Sequence, residues 1–327
     1  MRVPVRTRAA GSPIIRFLSS WISRVLVSVA LLSWIIYRFR FGQVLENMWS
    51  ADRALLAGAV LVFMLSGVLG AAQWRVLLGF HGVALKFGGT VARYYMGLFF
   101  NFILPGFVGG DVVRVYKTAV ASGMVTQSFS STLADRVLGL FVLVLFSLAA
   151  FVILPSGPAD SALPAAMFMF TVLTGFIALF AFRRLGNGIA AVFGRFTPGG
   201  IGGKIAAVYD EMHILTRSPG TLVRVFMLSC LIQFTRIGVH FLCARAVGME
   251  PGVLYFALFV PVMEIVASLP FSFGGVGVRE MIGVGLFSLM GVPRETVVSY
   301  TLLAYAAGFT GSLPGAVAFA LGAGGKK

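Results

Sequence analysis

Two arginines, Arg114 and Arg279, each close an eleven-residue pattern: LPGFVGGDVVR at 104–114 and LPFSFGGVGVR at 269–279. In both, Leu-Pro is followed after three residues by Gly-Gly, and after three more by Arg. Proline lacks an N–H and glycine tolerates any φ, so each pattern breaks a helix and lets the chain turn. The segment after each Gly-Gly then opens a new helix. Its first N–H groups are unpaired and partly positive, which favours anions such as phosphate. A guanidinium one turn further on adds bidentate phosphate contacts. Gly109, Gly110 and Arg114 would form one such end, and Gly274, Gly275 and Arg279 the other. The plainer alternative is that Pro and Gly only make bends while each Arg snorkels to an interface. Duplication of every fixed position favours function, because charges inside apolar segments are costly.

Further ionisable residues surround the two patterns. Asp111 falls in the first turn after Gly-Gly, where it would cap N–H groups and repel an anion. It is three residues before Arg114, on the same helix face, and reads either as a proton-coupling or gating group or as a neutralising partner. The second copy has Val276 in its place. Glu264, in VPVMEIVASLP, stands six residues before the second break. A carboxylate there needs a partner such as Arg279 or Arg236, or a proton. Glu280, beside Arg279, is a weaker candidate of the same kind. STLADRVLGL sets Asp135 and Arg136 at the start of a long apolar helix. Adjacent residues do not share a face, so one looks into the protein and the other toward headgroups. In LIQFTRIGVHFLCAR, Gln233, Arg236 and His240 form a polar stripe facing the bundle interior. Gln73 and Asn101 read as helix–helix hydrogen bonds, and Tyr94 and Tyr95 as belt or packing residues.

The elements that must position these groups lie in a membrane. The 327 residues are 58% hydrophobic and 11% charged, against about 25% charged in soluble domains. The net charge of +15 fits basic cytoplasmic loops and anionic lipid surfaces, and nucleic acid is excluded as a partner. Cys230 and Cys243 are too far apart along one helix for a disulfide. His81, His213 and His240 give no metal spacing, and no cofactor or metal is expected. Walker A, dinucleotide and hydrolase motifs are missing from the sequence.

Apolar runs long enough to span cover roughly 17–37, 54–78, 130–154, 163–182, 221–247 and 296–321. The pieces 92–104 and 254–269 are shorter and read as the first arms of re-entrant hairpins. The basic N-terminus leads into 17–37, read as a retained helix. The loop 183–220 holds Arg183, Arg184, Arg195, Lys204 and Arg217, so it is expected in the cytoplasm with both termini. The loops 155–162 and 248–253 are expected outside. The loop 38–53, with three arginines, runs against this scheme. Within 183–220, residues 204–217 carry a stripe of Ile205, Val208, Met212 and Leu215, predicting an amphipathic helix on the membrane surface or packed on the protein.

The expectation is a single membrane domain, 1–327. It is an all-α polytopic protein of about six full transmembrane helices plus two oppositely oriented re-entrant hairpins. Halves 54–154 and 221–321 form an inverted repeat, a recurring transporter plan.

NFILPGFVGGDVVRVYK (101–117), TLADRVLGL (132–140) and LPFSFGGVGVRE (269–280) together resemble the lysylphosphatidylglycerol synthase transmembrane-region family, flippase-like integral membrane proteins. The resemblance runs from about residue 20 to 320. It implies a bacterial inner-membrane protein that moves or handles charged or glycosylated lipids, with Asp111, Arg114, Asp135, Arg136, Arg279 and Glu280 at motif positions. In the larger synthases this region is joined to a cytosolic aminoacyl-transferase domain. This sequence ends at Lys327 without one and is not expected to make lysylphosphatidylglycerol. Three readings follow: a transporter of a phosphate-bearing lipid, a membrane enzyme acting on a lipid phosphate or lipid-linked sugar, or a subunit recruiting a glycosyltransferase or other lipid-modifying enzyme through 183–220. The sequence does not set the oligomeric state.

Overall fold

The computed structural model describes residues 41–104, 109–154, 163–182, 201–268 and 275–322. The expected helix 17–37, Pro105, Pro270, Gly274 and the termini lie outside them. The described chain is helical: α1 (Phe41–Trp49), α2 (Arg53–Phe80), α3 (Phe87–Ile103), α4 (Gly109–Ser122), α5 (Val125–Ile153), α6 (Leu163–Ala181), α7 (Ile201–Thr216), α8 (Pro219–Ala246), α9 (Val253–Ser268), α10 (Val278–Phe287) and α11 (Arg294–Ala320).

Four helices, α2, α5, α8 and α11, are long and apolar enough to cross a bilayer. Helix α9 is apolar and shorter, and α6 runs for 19 residues. Of the six apolar runs, 17–37 lies outside the described residues, four are long apolar helices, and 163–182 is α6. Helix α1 was not expected at all. It occupies 41–49 of the loop 38–53, between the arginines, buries only Val44 and docks on α11, where Ser299 Oγ donates to the Val44 carbonyl at 3.2 Å.

Local chemistry explains the ends. Asp52 caps α2 by accepting from the N–H groups of Ala54 (2.7 Å) and Leu55 (3.1 Å). Helix α3 stops at Leu104, next to a proline that cannot continue it. Helix α8 begins with Pro219, where a missing N–H costs nothing.

The element order of the first half recurs in the second. Helices α2 and α8 have 28 residues each. They start 166 residues apart, as do α3 and α9, while α5 and α11 start 169 apart. Packing is reciprocal: α2 lies along α8, α5 packs on α9, and α11 packs on α3. Ser147 on α5 donates to the Leu258 carbonyl on α9 at 2.9 Å, and Tyr305 on α11 donates to the Phe102 carbonyl on α3 at 3.4 Å. Small residues allow the close approaches. A methyl on Gly315 would collide with the Tyr95 carbonyl, and one on Gly110 with the Gly97 carbonyl. A knot of buried aromatic rings closes the second half, with Phe287 5.0 Å from Phe256 and 5.1 Å from Phe259 between ring centres.

Helix α7 is the amphipathic segment expected at 204–217. Met212 and Leu215 are buried against Leu77, Ala134 and Val225, so its inner face rests on the protein, while Ile205 is exposed.

Candidate functional site

Arg114 projects from α4 and is 3% exposed. Its Nη2 donates to Asp135 Oδ2 on α5 at 2.8 Å, and its Nε lies 3.0 Å from Asp111 Oδ1. The guanidinium sits over Trp74 (5.1 Å) and Tyr94 (5.0 Å), a cation–π cage that replaces part of its lost hydration. The other oxygen of Asp135 accepts from Gln73 Nε2 at 2.9 Å, and Gln73 Oε1 accepts from Ser229 on α8 at 2.8 Å. Asp111 is bridged on its far side by Arg136, through Nε at 2.6 Å and Nη2 at 3.1 Å. The chain Arg136–Asp111–Arg114–Asp135–Gln73–Ser229 thus joins four helices. Each buried charge has an opposite partner, the condition under which burial is tolerable.

The second cluster is smaller. Arg279 Nε donates to Glu264 Oε1 on α9 at 2.7 Å, and its Nη2 to Oε2 at 3.3 Å. His240 Nε2 on α8 lies 3.5 Å from the same Oε1. Tyr305 lies under the guanidinium, 6.0 Å from ring centre to charge.

Both clusters border one cavity of about 170 Å³, room for several waters. Asp111, Arg114, Asp135 and Arg136 reach it from the first half, and Arg236, His240, Glu264 and Arg279 from the second. The stripe Gln233–Arg236–His240 on α8 lines it as expected. Among the described residues, Arg236 has no hydrogen bond and no ion pair. A larger cavity of about 450 Å³ lies among α5, α6, α7 and α8, lined by such residues as Phe141, Phe180 and Phe226. It has no ionisable lining residue.

The glycines sit differently. Gly109, Gly110 and Gly275 do not line the cavity. The Gly110 N–H donates to Asn101 Oδ1 at 2.9 Å, so Asn101 is the interhelical hydrogen bond expected of it. Gly275 and Gly277 have φ of +74° and +88°, the left-handed region that only glycine enters without strain. Gly274 is outside the described residues. The two motifs also differ in depth. Arg114 is the sixth residue of α4, whereas Arg279 is the second of α10. Glu280, fully buried, accepts the Gly277 N–H at 2.6 Å and so caps α10 from within its first turn.

Asp111 and Arg114 pair as their spacing predicts, and Glu264 takes Arg279, one of its two expected partners. Asp135 and Arg136 do not divide between protein and headgroups as expected: Asp135 pairs with Arg114, Arg136 reaches Asp111, and both border the cavity, because Asp111 and Arg114 on α4 draw both long side chains to one cluster. Nothing in the sequence marks Trp74 or Tyr305 as covering an arginine, and Tyr94, a belt or packing residue by sequence, faces the Arg114 guanidinium instead. An aromatic ring in an apolar helix carries no mark that it will cover a cation. Position spacing offered one hint: Trp74 and His240 are 166 residues apart, like the starts of the helices that carry them.

The model of the family described as lysylphosphatidylglycerol synthase TM region matches residues 21–315. Over 292 residues the chain is 24% identical to a UPF0104 membrane protein of Methanothermobacter thermautotrophicus, covering 80% of this chain and 82% of the relative. Over 302 residues it is 21% identical to a UPF0104 membrane protein of Pyrococcus horikoshii, covering 85% and 90%. Charged motifs, apolar helices and matched length agree: this multi-pass membrane protein belongs to the lysylphosphatidylglycerol synthase TM region family.

Proposed function

We propose that the protein moves a phosphate-bearing lipid across the bacterial inner membrane by alternating access, with the headgroup held in the 170 Å³ cavity. One observation carries this reading. A single cavity borders arginines of both halves, and Arg236 among them lacks a carboxylate partner. A half-buried cation without a counter-ion inside an apolar bundle favours an anionic ligand. Phosphate binds first at Arg236. It then draws Arg114 or Arg279 from its carboxylate, according to which side is open. Asp111, Asp135 and Glu264 hold the arginines when no headgroup is present and act as the gating or proton-coupling groups, with Arg136 and Glu280 fixing the hairpin ends. Reciprocal helix packing and equal helix spacing support two related halves built around hairpins, and the basic residues of 183–220 and of both ends support cytoplasmic termini with α7 at the inner surface.

The test is transbilayer movement of a labelled phospholipid in liposomes containing the purified protein. The wild type is expected to accelerate movement and Arg236→Ala to lose most of it. No acceleration above protein-free liposomes for any phosphate-bearing lipid would sink the transporter reading. Chemical turnover of the lipid would favour the alternative, a membrane enzyme or its accessory subunit with Glu264 or Asp111 as the acid–base group.

A further inference from the structure

Among the described residues, Glu280 is a buried carboxylate with one oxygen unmet. It is 0% exposed. Its Oε2 accepts the Gly277 N–H at 2.6 Å, and its Oε1 is buried without a hydrogen-bond partner. The other carboxylates of the two clusters are matched on both oxygens. Asp111 takes Arg114 and Arg136, and Asp135 takes Arg114 and Gln73. Glu264 takes Arg279 on both oxygens, with His240 beside one of them. Arg279 precedes Glu280 in sequence, but neighbours on a helix do not face each other, and its guanidinium is turned to Glu264.

The helices packed on α10 supply no second cation. The titratable groups in reach of Glu280 are Arg279 on α10, Glu264 on α9, and Tyr300 and Tyr305 on α11, with His240 on α8 beyond Glu264. Arg236 borders the cavity, which Glu280 does not. The second cluster thus sets Arg279 against both Glu264 and Glu280, whereas the first sets Arg114 and Arg136 against Asp111 and Asp135. The N-terminus of α10 favours an anion modestly. A fully buried carboxylate with a bare oxygen costs more than that and takes a proton instead.

We propose that Glu280 holds a proton while Arg279 is paired with Glu264, and that it is the proton-coupling group of the transport cycle. This rests on the transporter reading above and assigns its proton to one residue. With Glu280 neutral, only Glu264 restrains Arg279, and an entering phosphate draws the guanidinium away. Loss of the proton puts a second negative charge beside Arg279, which strengthens its hold at the break and expels the phosphate. Proton and anionic headgroup therefore bind cooperatively, each raising the affinity of the site for the other. One proton is taken from water with the lipid on one side and returned to water as the lipid leaves on the other.

The experiment is infrared difference spectroscopy of the full chain in detergent at neutral pH. Protein made with isotopically labelled glutamate carboxyls is compared with unlabelled protein, so that lipid esters cancel. The expected result is a protonated-carboxyl band that shifts in heavy water, persists in Glu264→Gln and is lost in Glu280→Gln. Glu280→Asp removes the same band from the glutamate set and covers the case in which Glu280→Gln does not fold. No protonated glutamate band in the wild type, or a band that survives both Glu280 substitutions, overturns the proposal. Coupling is read as binding of phosphatidylglycerol, followed by native mass spectrometry. Wild-type affinity is expected to fall roughly fivefold or more from neutral to alkaline pH, and that of Glu280→Gln to stay level. Equal wild-type affinity at both would overturn the coupling role. If the band is present and lost in Glu280→Gln while no phosphate-bearing lipid is moved, the transporter reading fails and the stored proton stands.

Discussion

Arg279 and Glu264, fifteen residues apart in sequence, meet across the second break through hydrogen bonds of 2.7 and 3.3 Å. The pair faces the same cavity as Arg114, whose carboxylate partners come from α4 and α5 instead. The two halves therefore repeat the arginine but not the carboxylate that restrains it. On the proposed mechanism an entering phosphate would compete with a different partner on each side.

Glu264→Gln should loosen Arg279 without emptying the cavity of cations. The lipid is expected to be held several-fold more tightly and moved more slowly, because release needs the carboxylate to reclaim the arginine. Lipid retained through purification and the transport rate in liposomes check this together. Faster transport with weaker retention would show that Glu264 contacts the ligand in another way.

Asp135→Ala strands Arg114, which keeps only Asp111, and also leaves the Gln73 amide without its acceptor. Breaking a buried pair in this way costs about 3 kcal/mol or more. Arg136→Ala should cost less, since its side chain is 34% exposed and its removal leaves Asp111 still paired with Arg114. Unfolding in detergent measures both, and equal losses would contradict the ordering.

Glycine substitutions separate packing from ligand approach. Gly110→Ala and Gly315→Ala each drive a methyl into a backbone carbonyl of α3 and should prevent stable folding. Gly285→Ala meets nothing within 4 Å inside α10 and should be neutral or stabilising by about 0.5–1 kcal/mol. Expression as monodisperse protein and thermal stability distinguish the three. A well-folded Gly110→Ala protein would remove the close α3–α4 approach.

At the end of α2, His81 Nδ1 lies 2.7 Å from Glu211 Oε2, tying α7 to the bundle, and Gln127 donates to Glu211 Oε1 at 3.0 Å. Burial pushes the His81 ring below its ordinary value of 6.5, with Glu211 opposing in smaller part. A depressed histidine is neutral when folded and takes up its proton more readily when unfolded. Its contribution is present above about pH 6.5 and declines as pH falls through 6.5 toward the folded value. The midpoint of thermal unfolding should drop between about pH 7.5 and 5.5, and drop less in His81→Gln. Identical profiles would assign the acid sensitivity elsewhere.

Composition, apolar runs and the doubled Leu-Pro/Gly-Gly/Arg pattern determined by themselves that this is a helical membrane protein with a charged motif repeated inside its apolar runs. Hydrophobic length and helix-breaking residues are local properties, legible without partners. The spacing of Asp111 and Arg114, and of Gln233, Arg236 and His240, also fixed which side chains share a face. Only the tertiary structure decided which carboxylate each arginine takes and that Trp74 and Tyr94 cage Arg114. It likewise placed Gly110 against α3 and Arg236 in the cavity without a partner. Those outcomes depend on which helices lie side by side. Residues such as Arg114 and Asp135, or Gln73 and Ser229, meet across helices, where no sequence period points. Burying a charge makes pairing obligatory, but the choice among several available partners belongs to the packing.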